Sequence, residues 1–179
     1  WSALLRYNGN SELVGDLAES WEWQDDTTLI FHLRPNVKWH NGDDFTADQV
    51  VKSMEHLLNP EVSIRAENLL TTVDYFEAVD PLTVKLVLKQ ADVGILRSLT
   101  AAPGQAFILH PDYNEDTAGL SPETTIGTGP FMFESYEPGV NVKIVKNPNY
   151  FIEGMPFLDG IDFSVIQDPE GRRTALLAG

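Results

Sequence analysis

The sequence predicts a mixed α/β fold of the α+β type, in which antiparallel hairpins outnumber helices. Residues 28–34 alternate apolar and polar side chains with the period of two that is typical of a strand. Residues 73–88 contain two such runs on either side of Asp80-Pro81, and residues 131–144 contain two more around Pro138-Gly139. Because consecutive hairpins build antiparallel sheets, we expect this architecture rather than a doubly wound parallel sheet.

Residues 28–60 carry the strongest local signals of the chain. The first strand stops at Pro35-Asn36, and the alternation resumes at residues 37–40, which predicts a second short strand. Asn41-Gly42 comes next, and both residues tolerate positive φ, so we expect a tight turn there.

A helix is predicted directly after this turn. Thr46 is a favourable N-cap and Gln49 lies three residues further on, which is the spacing of a capping box. The apolar side chains of residues 47–58 then fall on one helical stripe, so this face is expected to be buried. Asn59-Pro60 ends the helix, because a proline disfavours helical backbone at the preceding residue.

The remaining predicted elements are shorter. They are an apolar segment at 1–7, a strand within 14–23, a short helix or loop at 61–70, a short helix at 92–99, a short strand at 106–109, a strand at 161–165 and a helix that starts at Pro169. The chain has no internal repeat, low-complexity tract or linker, so residues 1–179 are predicted to form a single domain.

Composition limits the possible partners. The 27 acidic and 12 basic residues give a net charge of −15, which argues against nucleic acid and anionic membranes as partners. No cysteine is present, which excludes disulfides and thiol chemistry, and no apolar run is long enough to span a bilayer. Residues 1–10 lack the pattern of a signal peptide, and we expect the sequence to be an excised piece of a longer protein.

The residues that could act in catalysis or bind a metal are better explained by their structural positions. The histidines are His32, His40, His56 and His110; the first two could face each other across the predicted hairpin at 28–40, but no ligand spacing accompanies them. The acidic pairs Asp25-Asp26 and Asp43-Asp44 fall in predicted turns, where Asp is favoured by local hydrogen bonding. A Gly-x-Ser-x-Gly motif is absent. The sequence therefore predicts no catalytic residue, metal site or cofactor.

Two further patterns have structural interpretations. Gly127-Thr128-Gly129 lacks the third glycine of a dinucleotide motif and leads into a strand, so we interpret it as a tight backbone crossing where side chains would clash. Alternating aromatic residues are expected mainly in the core, with a ligand-stacking platform as the alternative. These residues are Trp21, Trp23, Trp39, Phe131 and Phe133.

Several ordered motifs resemble family 5 bacterial extracellular solute-binding proteins, the receptors of peptide, nickel and related ABC importers. The matching segments are Leu-Ala-Glu-Ser-Trp at 17–21, Leu33-Arg34, Trp-His-Asn-Gly at 39–42, Thr-Ala-Asp-Gln-Val at 46–50, Gly-Thr-Gly-Pro-Phe at 127–131 and Asn-Pro-Asn-Tyr-Phe at 147–151. The resemblance implies part of lobe I of a type II periplasmic-binding-protein-like fold, with the N-terminal strand and the second lobe absent from this chain.

The same resemblance implies a function and approximate site positions. The whole protein would bind a small solute, an oligopeptide or dipeptide, between two lobes and deliver it to an ABC permease, without enzymatic activity. Its location would be periplasmic or extracellular, with a lipid anchor left open. By their location in the cleft wall, Arg65, Asn68, Gln105 and Phe107 are the ligand-binding candidates, whereas Gly127, Thr128 and Gly129 would lie near the hinge.

Two other classes of function stay open at this point. One is a single-domain module that recognises protein partners through its sheet edges. The other is an acidic hydrolase or metal-dependent enzyme, which would require a carboxylate or histidine cluster in a pocket. The sequence does not identify the solute.

Overall fold

A computed structural model of the protein describes residues 1–59, 67–101, 106–113 and 121–178, with only the backbone of residues 67, 68 and 70. Its strands are β1 (Leu5–Tyr7), β2 (Leu13–Gly15), β3 (Ala18–Asp25), β4 (Thr28–Leu33), β5 (Val73–Asp80), β6 (Thr83–Leu88), β7 (Phe131–Glu137), β8 (Asn141–Lys146) and β9 (Gly160–Ser164). Its helices are α1 (Ala47–Leu57), α2 (Glu67–Thr72), α3 (Ile95–Ser98) and α4 (Pro169–Ala178). The predicted α+β class is confirmed.

The largest sheet has four antiparallel strands in the order β3-β4-β6-β5. Phe31 of β4 pairs with Val84 of β6, and Leu29 pairs with Leu86, so these apolar side chains share one face. All four are completely buried, whereas the residues between them on each strand are partly exposed. The period of two in the sequence thus corresponds to one buried and one accessible face of the sheet.

Helix α1 contributes its apolar stripe to the same core. Thr46 is the N-cap in an extended conformation and forms the predicted capping box with Gln49. Ala47, Val50 and Met54 are fully buried in the cluster that includes the inner face of the sheet. Among the described residues, no helix is long and apolar enough to cross a membrane.

The first segment of the chain is buried between parts that are distant in sequence. Ala3, Leu4 and Leu5 have no exposed surface. Ala3 forms an isolated antiparallel bridge with Phe107, and Leu5 forms a parallel one with Thr100. Strands β1 and β2 pair with each other in a separate two-stranded sheet.

The third sheet has the antiparallel order β7-β8-β9 and is less buried than the first. The predicted hairpin corresponds to β7 and β8, and the predicted last strand to β9. The register places Tyr136 beside Val142 and Val142 beside Phe163, yet Tyr136 and Phe163 are 42% and 52% exposed. This sheet therefore presents a substantial apolar surface to solvent.

Three sequence-based expectations were wrong. The predicted strand at 37–40 is a compact loop with one bridge between Lys38 and Asp44, because the chain folds back at once and Trp39 N–H donates to the Asp43 carbonyl. The predicted strand at 106–109 is reduced to the single bridge at Phe107. Of the five alternating aromatic residues expected mainly in the core, only Trp39 is buried and only Trp21 packs against the core cluster. Phe131 and Phe133 are half-buried outside that cluster, and Trp23 is 38% exposed near the end of the outermost strand, β3.

Candidate functional site

The predicted ligand-binding residues are described only in part. Arg65 and Gln105 lie outside the described residues, and Asn68 belongs to α2 with its backbone alone described. Phe107 is half-buried, and its carbonyl accepts a hydrogen bond from the Ser53 hydroxyl at 3.5 Å. Their role in ligand binding therefore stays a prediction.

Ser53 explains how the segment around Phe107 is held. This side chain is buried on α1, and its oxygen also accepts a hydrogen bond from the Leu109 backbone N–H at 2.8 Å. On the other side of the segment, Ile108 N–H donates to the Ser2 carbonyl at 2.9 Å. Phe107 thus lies on backbone that is fixed from both sides, by α1 and by the first segment of the chain.

The segment Gly127-Thr128-Gly129 is attached to the loop after β4 through one histidine. The His40 backbone N–H donates to the Gly127 carbonyl at 2.8 Å, and the Gly127 N–H lies 3.2 Å from His40 Nδ1. The opposite ring nitrogen, Nε2, lies 3.0 Å from the Gly129 carbonyl oxygen. Three hydrogen bonds therefore join residues that are almost ninety positions apart.

The same segment is closely packed, as the glycine pattern predicts. A Cβ atom at Gly127 would lie 3.0 Å from Trp1 Cδ1, and one at Gly129 would lie 3.1 Å from the Trp1 nitrogen. Both contacts are closer than ordinary van der Waals separation, so the interpretation as a tight backbone crossing is confirmed. Buried Asn147 donates to the Gly129 carbonyl at 3.0 Å, and Thr128 has no exposed surface.

Burial also changes the electrostatics of His40. Desolvation by burial lowers the pKa of the His40 imidazole below its usual value of 6.5. Hydrogen bonds to the backbone carbonyls of Gly129 and Thr125 oppose the shift without cancelling it. The neutral imidazole is consequently the favoured form in the folded protein.

A second group of polar residues, which the sequence did not single out as a site, surrounds a buried carboxylate. Asp16 is only 6% exposed; it accepts a hydrogen bond from Ala3 N–H at 3.2 Å and lies 3.8 Å from Arg6 Nε. Arg34 Nε donates to the Asp16 backbone carbonyl at 2.6 Å. Desolvation raises the pKa of the Asp16 carboxyl, although the Ala3 N–H and both arginines favour its ionised form.

The residues around the Asp16 carboxylate also contact the loop that comes after β8. The Arg34 guanidinium lies 5.8 Å from the centre of the Phe151 ring, a cation–π distance, and the Tyr150 ring packs against Phe151. Burial and the charge of Asp16 raise the pKa of the Tyr150 phenol to about 12. The Leu33-Arg34 and Asn-Pro-Asn-Tyr-Phe motifs therefore meet in space, which their positions in the sequence did not reveal.

The histidines do not form a metal site among the described residues. His32 lies in β4 with Nε2 3.6 Å from Glu22 Oε1, whereas His40 is attached to Gly127 and Gly129, so the expectation that the two could face each other was wrong. Within the described ranges, no group of three or more His, Asp or Glu side chains could hold an ion.

Two open cavities in the described part of the chain have the volume of a small-molecule site. One, of about 410 Å³, lies beside Trp23, Asp25 and Asp92. The other, of about 440 Å³, is formed by residues 146–155. Neither is lined by Arg65, Asn68, Gln105 or Phe107, although Trp23, one of the aromatic residues considered as a stacking platform, lines the first.

Comparison with known proteins assigns this architecture to a family. Residues 12–179 match the family described as bacterial extracellular solute-binding proteins, family 5 Middle. The di/tripeptide-binding protein 4 of Pseudomonas aeruginosa (strain UCBPP-PA14) is 32% identical over 195 residues, which is 96% of this chain and 36% of that protein. The glutathione-binding protein GsiB of Salmonella paratyphi A is 34% identical, over 100% of this chain and 35% of its own length.

A solved structure gives the same result. The PBP/SBP MoaA from A. tumefaciens R10, in complex with mannopinic acid, superimposes with a TM-score of 0.87 at 33% identity, over 100% of this chain and 37% of that protein. The chain thus spans little more than a third of the length of these relatives. The match over residues 12–179 nevertheless covers most of the sequence. This chain therefore belongs to the family 5 bacterial extracellular solute-binding proteins.

Proposed function

We propose that the protein to which this chain belongs is the solute receptor of an ABC import system and that it binds a short peptide between two lobes. The match of residues 12–179 to the family carries this proposal. The relatives named for di- and tripeptides and for glutathione support a peptide as the solute. The complex with mannopinic acid shows that a relative of similar identity binds a different class of solute.

Within this proposal, residues 1–179 supply most of one lobe, and the second lobe lies elsewhere in the longer protein. The chain's coverage of little more than a third of its relatives supports this division. Gly127, Thr128 and Gly129 are then hinge-proximal, and Arg65, Asn68, Gln105 and Phe107 contribute to the first wall of the ligand cleft. The fixed backbone around Phe107 supports a role as a rigid wall.

The proposed mechanism is binding and closure, after which the solute is delivered to a membrane permease, with no covalent chemistry. Two lobes that rotate about a hinge enclose the ligand and exclude water from its polar groups. The relatives are named for what they bind, which supports a receptor rather than an enzyme. The description of the family as extracellular supports a location outside the cytoplasm, in the periplasm or beyond it. A lipid anchor would be detected as retention of the full-length protein in the membrane fraction.

Calorimetric titration of the full-length protein tests the proposed solute. Di- and tripeptides, glutathione and mannopinic acid should be titrated separately under the same conditions. We expect saturable binding of at least one peptide, and weaker binding of mannopinic acid. Tight binding of mannopinic acid without any peptide binding would contradict the peptide assignment while leaving the receptor function intact.

The same titrations with residues 1–179 alone test the division into two lobes. Ligand pockets typically enclose about 70–90% of a ligand's surface, and one lobe supplies only part of that enclosure. We therefore expect weak or undetectable binding by residues 1–179. Affinity equal to that of the full-length protein would reject the two-lobe mechanism and favour a single-domain binding module.

A further inference from the structure

The hydrogen bonds of His40 define the protonation state of its ring. Nδ1 faces the Gly127 backbone N–H at 3.2 Å, and an N–H group can only donate, so Nδ1 must be the acceptor and carry no proton. Nε2 faces the Gly129 carbonyl oxygen at 3.0 Å, and a carbonyl can only accept, so Nε2 must carry the proton. Both contacts are satisfied together only by the neutral Nε2–H tautomer.

Protonation of the ring would remove one of these contacts. A proton on Nδ1 would point at the Gly127 N–H, so a hydrogen bond would be replaced by two opposed donors. The Nε2–H bond to Gly129 would survive, since that nitrogen donates in either state. Adding the proton therefore breaks the hydrogen bond that holds Gly127. Partial burial of the positive charge makes protonation still less favourable.

The attachment of Gly127 lies at a junction between two sheets. Residues 127–129 lead directly into β7, the first strand of the third sheet, and His40 belongs to the loop that links β4 of the main sheet to α1. Buried Asn147, directly after β8, donates to the same Gly129 carbonyl as His40. His40 thus joins the region of the main sheet to the start of the third sheet.

We propose that His40 is a positioning residue that, in its neutral Nε2–H form, fixes the Gly127–Gly129 segment between the two sheets, and that protonation of its ring releases Gly127. Acid then loosens the junction locally, while the main sheet and α1 stay folded. In the protein as a whole, this junction is the hinge-proximal segment of the proposed function. The role of His40 does not depend on which solute is bound, so failure of one proposal does not imply failure of the other.

Among the described residues, no carboxylate forms an ion pair with the His40 ring. Within the same loop, Lys38 is paired with Asp44, and the Asp43 carboxylate accepts a hydrogen bond from Asn41 Nδ2 at 2.7 Å. Across the loop, the same carboxylate lies 3.9 Å from His110 Nε2. The Thr125 backbone carbonyl also bonds to the ring and favours its protonated form, so it lowers the cost of protonation without restoring an acceptor for the Gly127 N–H.

Nuclear magnetic resonance of the ¹⁵N-labelled full-length protein tests the proposal directly. The ring nitrogen shifts should show the Nε2–H tautomer of His40 at pH 8. Amide exchange of Gly127, corrected for the intrinsic effect of pH, should lose protection below about pH 6.5, by up to tenfold per pH unit for a single proton. Protection of amides in the centre of β4 should not change over the same range.

Two variants separate a titrating residue from a merely structural one. His40→Gln retains an amide donor for the Gly129 carbonyl but does not titrate, so the pH-dependent loss of Gly127 protection should disappear. His32→Gln removes a partly exposed histidine of β4 and should leave the Gly127 profile unchanged.

Three results would overturn the proposal. They are an Nδ1–H tautomer at pH 8, Gly127 protection in the wild-type chain that is constant from pH 8 to pH 5, and the same pH-dependent loss in His40→Gln. The first two are measured on the wild-type chain, so they decide the matter even if the His40→Gln variant does not fold.

Discussion

The indole N–H of Trp39 donates to Gln49 Oε1 at 2.9 Å, and the same oxygen accepts the Thr46 backbone N–H at 2.9 Å. One amide side chain therefore caps the start of α1 and also fixes the largest fully buried residue of the loop before it. Of the two contacts in the capping box, the one from the Gln49 side chain has hydrogen-bond geometry, whereas the Thr46 hydroxyl makes no cap hydrogen bond. Gln49 thus couples loop and helix.

We expect Gln49→Ala to destabilise the chain more than Thr46→Ala. Loss of a helix cap costs about 1 kcal/mol, and Gln49→Ala additionally leaves the buried Trp39 indole N–H without its acceptor, which costs about 1–3 kcal/mol. Thermal melts of the two variants beside the wild type give the comparison. An equal or larger loss for Thr46→Ala would mean that the hydroxyl, rather than the amide, carries the cap.

The close packing at Gly127 predicts a position-specific cost for an added methyl group. Gly127→Ala would place a Cβ 3.0 Å from Trp1 Cδ1, and we expect a loss of about 1–3 kcal/mol in the free energy of unfolding, the usual range for overpacking. Gly9→Ala is the matched control, because no atom outside the two adjacent residues lies within 4 Å of its added Cβ. Urea titration measures the free energy of unfolding of both variants. Equal stabilities of the two variants would show that the segment can shift without cost.

Two buried threonines should respond in opposite ways to removal of their hydroxyl. Within the described residues, Thr128 Oγ1 is buried without a hydrogen-bond partner, so Thr128→Val should leave stability unchanged or raise it by about 1 kcal/mol. Thr100 Oγ1 donates to the Arg97 carbonyl at 2.8 Å, so Thr100→Val should lose about 1 kcal/mol. Differential scanning calorimetry provides both values. A clear loss in Thr128→Val would reveal a partner for its hydroxyl.

The pKa of Asp16 predicts an unusual pH dependence of stability. Burial raises this pKa above 3.8, so the folded state binds a proton more readily than the unfolded state, and the contribution of Asp16 to stability falls as pH rises from about 4 through the raised pKa. Asp16→Asn cannot ionise. We therefore expect the Tm of the wild type, measured relative to Asp16→Asn, to increase as the pH is lowered toward 4.

Asp25 serves as a control, because its pKa is shifted in the direction opposite to that of Asp16. The Thr27 N–H lowers the pKa of this exposed carboxyl below 3.8, so its contribution to stability is present above that pH and is lost as the pH falls through the lowered value. The Tm difference between wild type and Asp25→Asn should therefore shrink in acid. If both variants showed the same trend with pH, the assignment to Asp16 would be wrong.

The parts of the fold that were predicted from sequence are those that local chemistry determines. The hairpin of β5 and β6 results from two alternating runs with a turn pair between them, and α1 results from its cap and its apolar stripe. The predicted strand at 37–40 failed because local alternation does not reveal that the Trp39 backbone N–H bonds within its own loop, to the Asp43 carbonyl, instead of to a strand partner. Periodicity describes the exposure of a segment better than its pairing.

The side-chain groups around the junction could not be predicted, because their partners are far apart in sequence. His40 has no partner at a recognisable motif spacing in the sequence. Its role depends on backbone groups of residues 127–129, namely the Gly127 N–H and the Gly129 carbonyl. Asp16 resembles a solvated acid until the first segment of the chain covers it and donates the Ala3 N–H. The predicted ligand-binding positions were transferred by location in the family, and they await a test with ligand.

The burial of the first segment has a consequence for synthesis on the ribosome. Leu4 and Leu5 leave the exit tunnel about a hundred residues before Thr100 and Phe107, with which Leu5 and Ala3 form their bridges. At a synthesis rate of roughly 5–20 residues per second, these partners are made about 5–20 seconds after the first segment. The hairpin of β3 and β4 and helix α1 can form during that interval from adjacent sequence. A nascent chain halted before residue 100 should therefore expose Leu4 and Leu5 to chaperones or proteases.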